Sequence, residues 1–260
     1  MKKVLTIAGS DCSGGAGIQA DIKTIIMHKM YAMSVITALT AQNTTGVFSI
    51  FECSPEFVSE QLDAIFTDIF PDSIKVGMVS NKDIIKVISS KLKQYKCENI
   101  VIDPVMVSTS GCKLISDDAI QSIIDYLFPI ATIITPNIYE AAILCGFKID
   151  NEEDMISSAH EISKKLEGAI LIKGGHLSHS SNDLIYQHGE YHWLKSDKID
   201  NSNTHGTGCK LSSAIACNLA SGEKIQKSVK NAKNYINRCL NSMLNFGKGS
   251  GPINHYCSID

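Results

Sequence analysis

The densest chemistry in this chain lies in Asn203-Thr204-His205-Gly206-Thr207-Gly208-Cys209, which runs directly into an apolar, small-residue segment from Leu211 to Ala220. Two glycines allow a tight turn in which successive backbone N–H groups converge on one anion. The segment that follows reads as a helix, and its positive N-terminal end faces the same point. Cys209 falls in the first turn of that helix, where a thiolate is favoured and the thiol pKa is expected to fall. An anion cradle with a base built into it is what phosphoryl transfer to a hydroxyl requires. The same residues also suit an ordinary glycine turn before a core helix with a buried cysteine, so the rest of the chain decides between the two.

Other residues add to the first reading. Asp103-Pro104 and Asn137-Ile138-Tyr139-Glu140 offer two carboxylates, the hard oxygen ligands that Mg²⁺ takes beside a triphosphate. Glu140 also suits a simple first-turn helix acid, and Lys173 either a phosphate partner or a solvated strand end. Gly14-Gly15-Ala16-Gly17-Ile18-Gln19-Ala20 carries a G-x-G-x-x-A pattern. It begins well past the first strand, and no acidic residue closes the second strand, so a dinucleotide site is not supported. These glycines are expected to let a helix, Ala16–His28, pack closely over a substrate. No Walker-type G-x-x-x-x-G-K-[ST] is present. His176-Leu177-Ser178-His179 and the His205…Cys209 spacing touch on zinc, but no Cys-x-x-Cys supports it.

The elements that must hold these residues are short β-branched runs alternating with amphipathic segments. Val4–Ala8, Ser34–Leu39, Ile74–Val76, Ile100–Ile102, Thr132–Ile134 and Ala169–Ile172 read as strands. Helical faces gather Phe57, Val58, Leu62, Ile65, Phe66 and Ile69, then Ile84, Ile85, Val87, Ile88 and Leu92, and later Ile225, Val229, Ala232, Ile236, Leu240 and Met243. This alternation predicts one α/β domain over residues 1–260, a mostly parallel sheet with helices on both faces. Leu184–Trp193, with Gly189-Glu190 at its centre, predicts a small β-hairpin at one edge. Ligands of such sheets bind beyond the carboxyl ends of the strands. Gly9-Ser10-Asp11, Gly77-Met78, Asp103-Pro104, Thr135-Pro136-Asn137 and Lys173-Gly174-Gly175 all fall there. Turn chemistry explains the Gly and Pro residues; it does not explain Asp11, Asp103 and Lys173 together.

At 260 residues and a formal net charge of -3, the chain gives no reason to expect nucleic acid or an anionic membrane as partner. Its apolar runs are too short or too interrupted for a leader or a membrane span. Nine irregularly spaced cysteines suggest reduced thiols in a cytoplasm.

Taken in order, Leu5–Asp11, Ser13–Asp21, Val35–Thr44, Val76-Gly77-Met78, Val101–Met106, Ile134–Asn137 with Glu140, Lys173–His176 and Asn203–Cys209 resemble the ribokinase-like superfamily. Within it they resemble the hydroxymethylpyrimidine/phosphomethylpyrimidine kinases of thiamine biosynthesis, over nearly the whole chain. The resemblance implies that ATP phosphorylates 4-amino-5-hydroxymethyl-2-methylpyrimidine and then its monophosphate, giving the pyrophosphate. It implies a pyrimidine pocket of Asp11, Gln42 and Met78, with Asp21 nearby. It also implies Mg²⁺ on Asp103 and Glu140, nucleotide contacts from Lys173, Asn137 and His205, and catalysis by Gly206, Thr207, Gly208 and Cys209, the last as base. Gln42 suits an aminopyrimidine edge, and Met78 its flat ring. A homodimer through the edge hairpin is also expected.

Several residues depart from the family pattern. Cys12 replaces a usual Pro, which should loosen that turn. Ser108-Thr109-Ser110-Gly111 lacks the usual Lys, for which Lys113 could substitute. Lys210 replaces a small hydroxyl residue and is expected to face solvent. The nearest alternative is a pyridoxal kinase of the same branch; a non-catalytic binding protein is disfavoured by the intact cradle and Asp103.

Overall fold

A computed structural model describes residues 1–106, 115–175, 181–195, 199, 201 and 203–257. The elements run β1 (Lys3–Asp11), α1 (Gly17–Met27), β2 (Tyr31–Asn43), β3 (Gly46–Glu52), α2 (Pro55–Phe66), β4 (Ser73–Val76), α3 (Lys82–Gln94), β5 (Ile100–Ile102) and α4 (Asp117–Ser122). They continue with β6 (Ile133–Ile134), α5 (Ile138–Cys145), α6 (Glu152–Ser163), β7 (Ala169–Ile172), β8 (Asp183–Gln187), β9 (Glu190–Leu194), α7 (Thr207–Ala220) and α8 (Ile225–Asn241). His176, His179, Ser108–Gly111 and Lys113 lie outside the described residues.

Nine strands form one sheet in the order β3-β2-β1-β4-β5-β6-β7-β8-β9. β2, β1, β4, β5, β6 and β7 are mutually parallel, and β3, β8 and β9 are added at the two edges through antiparallel pairing. The expected hairpin at one edge is present, turning at His188 and Gly189, both with positive φ. The strand at the other edge, β3, is an addition to the sequence-based expectation. Its run Val47-Phe48-Ser49-Ile50-Phe51 after Gly46 carried the β-branched and aromatic signal that marks a strand.

Residue alternation along the strands sorts side chains onto two faces. Leu5, Ile7, Ile74 and Val76 point into one core with α2 and α3 residues such as Leu62 and Ile88. Val4, Val101, Ile133 and Leu171 point into the other, against α7 and α8 residues such as Ile215 and Ile236. Both faces are covered, so β4, Ser-Ile-Lys-Val, is buried throughout, including its lysine.

The helical faces hold at their centres and fail at their ends. In α2, Ser54 caps the first turn and Pro55 starts it, and Val58, Leu62 and Phe66 form the buried stripe. Phe57 and Ile69, expected on that face, are exposed, because Phe57 lies off the stripe and Ile69 lies past the helix end. Met243 is exposed for the same reason beyond α8.

Candidate active site

The parallel strands bring Asp11, Gly77-Met78, Asp103, Thr135–Asn137 and Lys173 to one edge, where α7 begins. Two loops meet there face to face. Gly206, with φ +77°, caps α7, and a Cβ on it would collide with the Gly15 carbonyl oxygen. A Cβ on Gly15 would in turn strike the His205 ring. The glycines after Asp11 therefore serve loop-to-loop contact. Gly17, also at positive φ, packs against the Gly9 carbonyl. The helix they open sits on the end of β1, where the sequence suggested packing over a substrate.

Asp11 organises this junction. Its Oδ1 accepts from the Ser13 N–H at 2.9 Å and the Ser13 hydroxyl at 2.7 Å. Its Oδ2 accepts from the Ala16 N–H at 2.8 Å and lies 2.9 Å from His205 Nε2. Burial on its own would raise the carboxyl, but the bonds from His205, Ser13 and Ala16 outweigh it and bring it down to about 2. His205, assigned by resemblance to the nucleotide, has its ring nitrogen turned to Asp11 and to Gln42, whose Nε2 lies 3.2 Å away. The physical reason is charge: a buried carboxylate needs donors, and Nε2–H is one. With Asp11 as that acceptor, the Gln42 amide group beside it is left to donate elsewhere. Cys12, expected to loosen the turn, ties it instead, its Sγ lying 3.1 Å from the Gln42 carbonyl oxygen. Met78 sits half-buried next to Gly9, and its carbonyl accepts from Thr37.

A second cluster stands beside the first. Lys173 Nζ donates to Asp103 Oδ1 at 3.0 Å and lies 3.9 Å from Glu140 Oε2. Asp103 also accepts from Thr135 and Ser212. Both readings of Glu140 meet here. It closes a capping box with Asn137, each side chain accepting the other's backbone N–H, and it also faces Lys173. Asn137, expected at the nucleotide, has its side-chain oxygen engaged in that box. Burial lifts the Glu140 carboxyl to about 7, with Lys173 opposing and Asp103 adding. Burial would likewise raise Asp103, yet Lys173 and Lys75 hold it below its ordinary range.

The first turn of α7 closes the space between the clusters. Gly208 faces Lys173 Nζ and Asp103 Oδ2, which a Cβ there would meet at ordinary contact distances of 3.4 and 3.5 Å. The Thr207 N–H is taken by the Thr204 carbonyl at 3.2 Å. The Gly208 and Cys209 amides have no acceptor among the described residues, as expected for a helix start. The Cys209 thiol corrects one expectation: burial raises it, while Lys75 and the Gly17 amide pull the other way. Desolvating a thiolate outweighs what the helix end was expected to supply.

Asp21, expected near the pyrimidine, has its side chain 0% exposed and engaged by Lys75 at 2.7 Å, Thr6 at 2.6 Å and Ser213 at 2.8 Å. One further expectation is corrected. Lys210 does not face solvent: it is 0% exposed, with Nζ 3.3 Å from the Ile253 carbonyl and 3.5 Å from that of His205. The C-terminal strap explains this, since Gly251 and Pro252 pair with His205 and close over α7. Burial pushes the Lys210 amine down to about 7. The unfolded chain, where lysine titrates near 10.5, then binds more protons between pH 7 and 10.5, so stability rises with pH across that window. Lys210→Met is expected to stabilise the protein by about 1–3 kcal/mol at pH 7, and by less at pH 9. Thermal melts at the two pH values check this, and an equal or negative effect at pH 7 would refute it.

Sequence reasoning missed Lys75 and Ser212, and placed Thr135 at this edge without a role. A lysine inside Ser-Ile-Lys-Val-Gly was the available signal for Lys75, since strands covered on both faces leave no exit for an ammonium.

A family model described as phosphomethylpyrimidine kinase matches residues 11–254. The hydroxymethylpyrimidine/phosphomethylpyrimidine kinase of Rhizobium meliloti (strain 1021) is 43% identical over 256 residues, covering 97% of this chain and 96% of that protein. The thiamine biosynthesis bifunctional protein ThiED of Geobacter sulfurreducens is 44% identical over 99% of this chain, which spans only 53% of that protein. Phosphomethylpyrimidine kinase from Clostridium difficile 630 superposes with a TM-score of 0.83 at 44% identity, covering 91% of this chain and 98% of that one. A Staphylococcus aureus pyridoxal kinase in complex with AMP-PCP and pyridoxal reaches a TM-score of 0.90 at 32% identity, covering 99% and 94%. With the match running from the loop at Asp11 to the strap that closes over α7, the chain belongs to the phosphomethylpyrimidine kinase family.

Proposed function

We propose that this chain, acting as a single domain, uses ATP to phosphorylate 4-amino-5-hydroxymethyl-2-methylpyrimidine and then its monophosphate to the pyrophosphate, the thiamine-precursor step. The observation that carries the reading is the placing of the α7 start between two clusters. Asp11, His205 and Gln42 stand on one side, and Asp103, Glu140 and Lys173 on the other. On this reading the NH₂ end of the Gln42 amide, whose oxygen accepts from Thr40, and half-buried Met78 receive the aminopyrimidine, and Asp11 and His205 shape that pocket from behind. Lys173 and the amides of Gly208 and Cys209 hold phosphoryl oxygens. Cys209, as thiolate, takes the proton of the substrate hydroxyl while that oxygen bonds the γ-phosphorus and ADP departs with the bridging electron pair.

Mg²⁺ fits the donor set at Asp103 and Glu140. The two buried carboxylates face each other across Lys173, and Glu140, pushed up to about 7 by burial and by Asp103, holds a proton that a cation there would displace; carboxylate oxygens are its ligands. Two protein carboxylates do not make a full cage, so the remaining positions suit water and phosphate oxygens. Bound there, the ion would neutralise charge on the transferring group.

ATP consumption with the hydroxymethylpyrimidine and, in parallel, with pyridoxal tests the function, with mono- and diphosphate products resolved by chromatography. Diphosphate from the pyrimidine is the expected result. Pyridoxal phosphate without pyrimidine diphosphate would favour the second reading, a pyridoxal kinase, which the resemblance to solved pyridoxal kinases keeps open.

A homodimer is also proposed, at the edge opposite to the hairpin. β3 is exposed on both faces and carries Phe48 at 69% and Phe51 at 71% exposure, with Leu39 and Ile50 beside them. An unprotected apolar edge of this kind pairs with a copy of itself. Phe48→Asp/Phe51→Lys is expected to convert the dimer to a monomer in light scattering. A wild-type protein that is monomeric at all concentrations would exclude it.

A further inference from the structure

The Asp21–Lys75 pair is a fully buried ion pair that the proposed reaction leaves unused. Both side chains are 0% exposed, with Nζ 2.7 Å from Oδ2. A buried ion pair is a poor device for stability, because desolvating the two charges offsets most of their attraction; apolar residues of the same volume often do better. Its position suggests a different purpose. Ser73 and Lys75 project from the same face of β4, and Ser73 bonds the Ala216 carbonyl of α7. Asp21 reaches α7 as well, through Ser213 at 2.8 Å. Ser213 lies one turn after Cys209, so the two side chains share a helix face. Nζ itself sits directly under Gly77, where a Cβ would come within 2.5 Å of it. Gly77 and Met78 form the strand end beside the proposed pyrimidine pocket. The pair thus underlies the floor between the α7 first turn and that pocket.

We propose that Lys75 is a positioning residue for Cys209: its ammonium, oriented by Asp21, is the fixed positive charge that stabilises the Cys209 thiolate. This rests on the reading of Cys209 as the base. The charged groups around the thiol are Lys75 from β4, Asp21 from α1, Asp103 beyond β5, Lys173 beyond β7 and Lys210 beside it on α7. Lys75 opposes the effect of burial on the thiol, while Asp21 and Asp103 add to it. Asp21 keeps the ammonium protonated. Thr6 at 2.6 Å and Ser213 share the carboxylate, which leaves the lysine charge less than fully compensated.

The test is the pH dependence of Cys209 alkylation by iodoacetamide, followed on the peptide that contains Cys209 by mass spectrometry. Cys209 is intermediate in exposure, so a small reagent is used. Asp21→Asn/Lys75→Met removes both charges while keeping volume, and Asp21→Leu/Lys75→Met serves if the first does not fold. The alkylation profile is expected to move to higher pH by about one unit, so that the rate at pH 7.5 falls about tenfold. The acid limb of the kcat profile should move with it. A profile superimposable on the wild type in a folded double variant would overturn the inference. Failure of both variants to fold would overturn it too, by making the pair a stability element. If Cys209→Ala kept its kcat, the base reading would fall, while the alkylation profile would still decide what Lys75 does to the thiol.

Discussion

Cys209→Ala is expected to lower kcat by about 10²–10⁴-fold, the usual contribution of a positioned general base, with little change in KM for the pyrimidine. The KM expectation follows from placement. Cys209 stands at the start of α7, while the hydrogen-bonded His205 and Asp11, with Gln42 beside them, form a separate group around the ends of β1 and β2. Removing the thiol leaves the Gly208 and Cys209 backbone amides where they are, so the anion cradle survives and part of the rate enhancement with it. Near-wild-type kcat at saturating substrate would remove Cys209 from the chemistry. Because burial raises the thiol, activity that depends on its thiolate should also grow with pH through neutrality. Cys209→Asp supplies a base already ionised there and should flatten that rise; a profile as steep as the wild type's would point to a different group.

Asp21→Ala is expected to cost about 3–5 kcal/mol of stability, the range for removing one partner of a buried ion pair. It strands the Lys75 ammonium in the sheet and deprives the Thr6 and Ser213 hydroxyls of their acceptor. In a chain of this size about 2–4 °C is lost per kcal/mol, so the melting temperature should drop by roughly 6–20 °C. At a temperature where the variant is still folded, KM for the pyrimidine should stay close to the wild-type value. An unchanged melting temperature with a raised KM would place Asp21 at the substrate pocket, as the family resemblance implies.

These two positions show how legibility differs within one site. Cys209, Gly206 and Gly208 are contiguous, and a glycine turn before a helix is a local structure whose geometry the chain itself dictates. The Asn137–Glu140 box is equally local, spanning one helical turn. Asp21 lies only a few residues from the glycines of the same loop, so proximity in sequence suggested proximity to substrate. Helix α1 turns its side chain onto β4. His205 belongs to the cradle motif, yet its side chain answers a carboxylate 194 positions earlier. Lys210 reads as a surface helix residue until the strap at Gly251–Ile253 covers it.

By itself the sequence determined the strand–helix alternation, the parallel sheet, the edge on which Asp11, Asp103 and Lys173 emerge, and the turn that presents Cys209. All of these follow from short-range periodicity, capping and backbone freedom. Only the tertiary structure decided which charges pair: Lys173 with Asp103, His205 with Asp11, Lys75 with Asp21. Those partners lie 54 to 194 residues apart. Coulombic and hydrogen-bond energies depend on distance and burial in space, and neither quantity exists until the two faces of the sheet are packed.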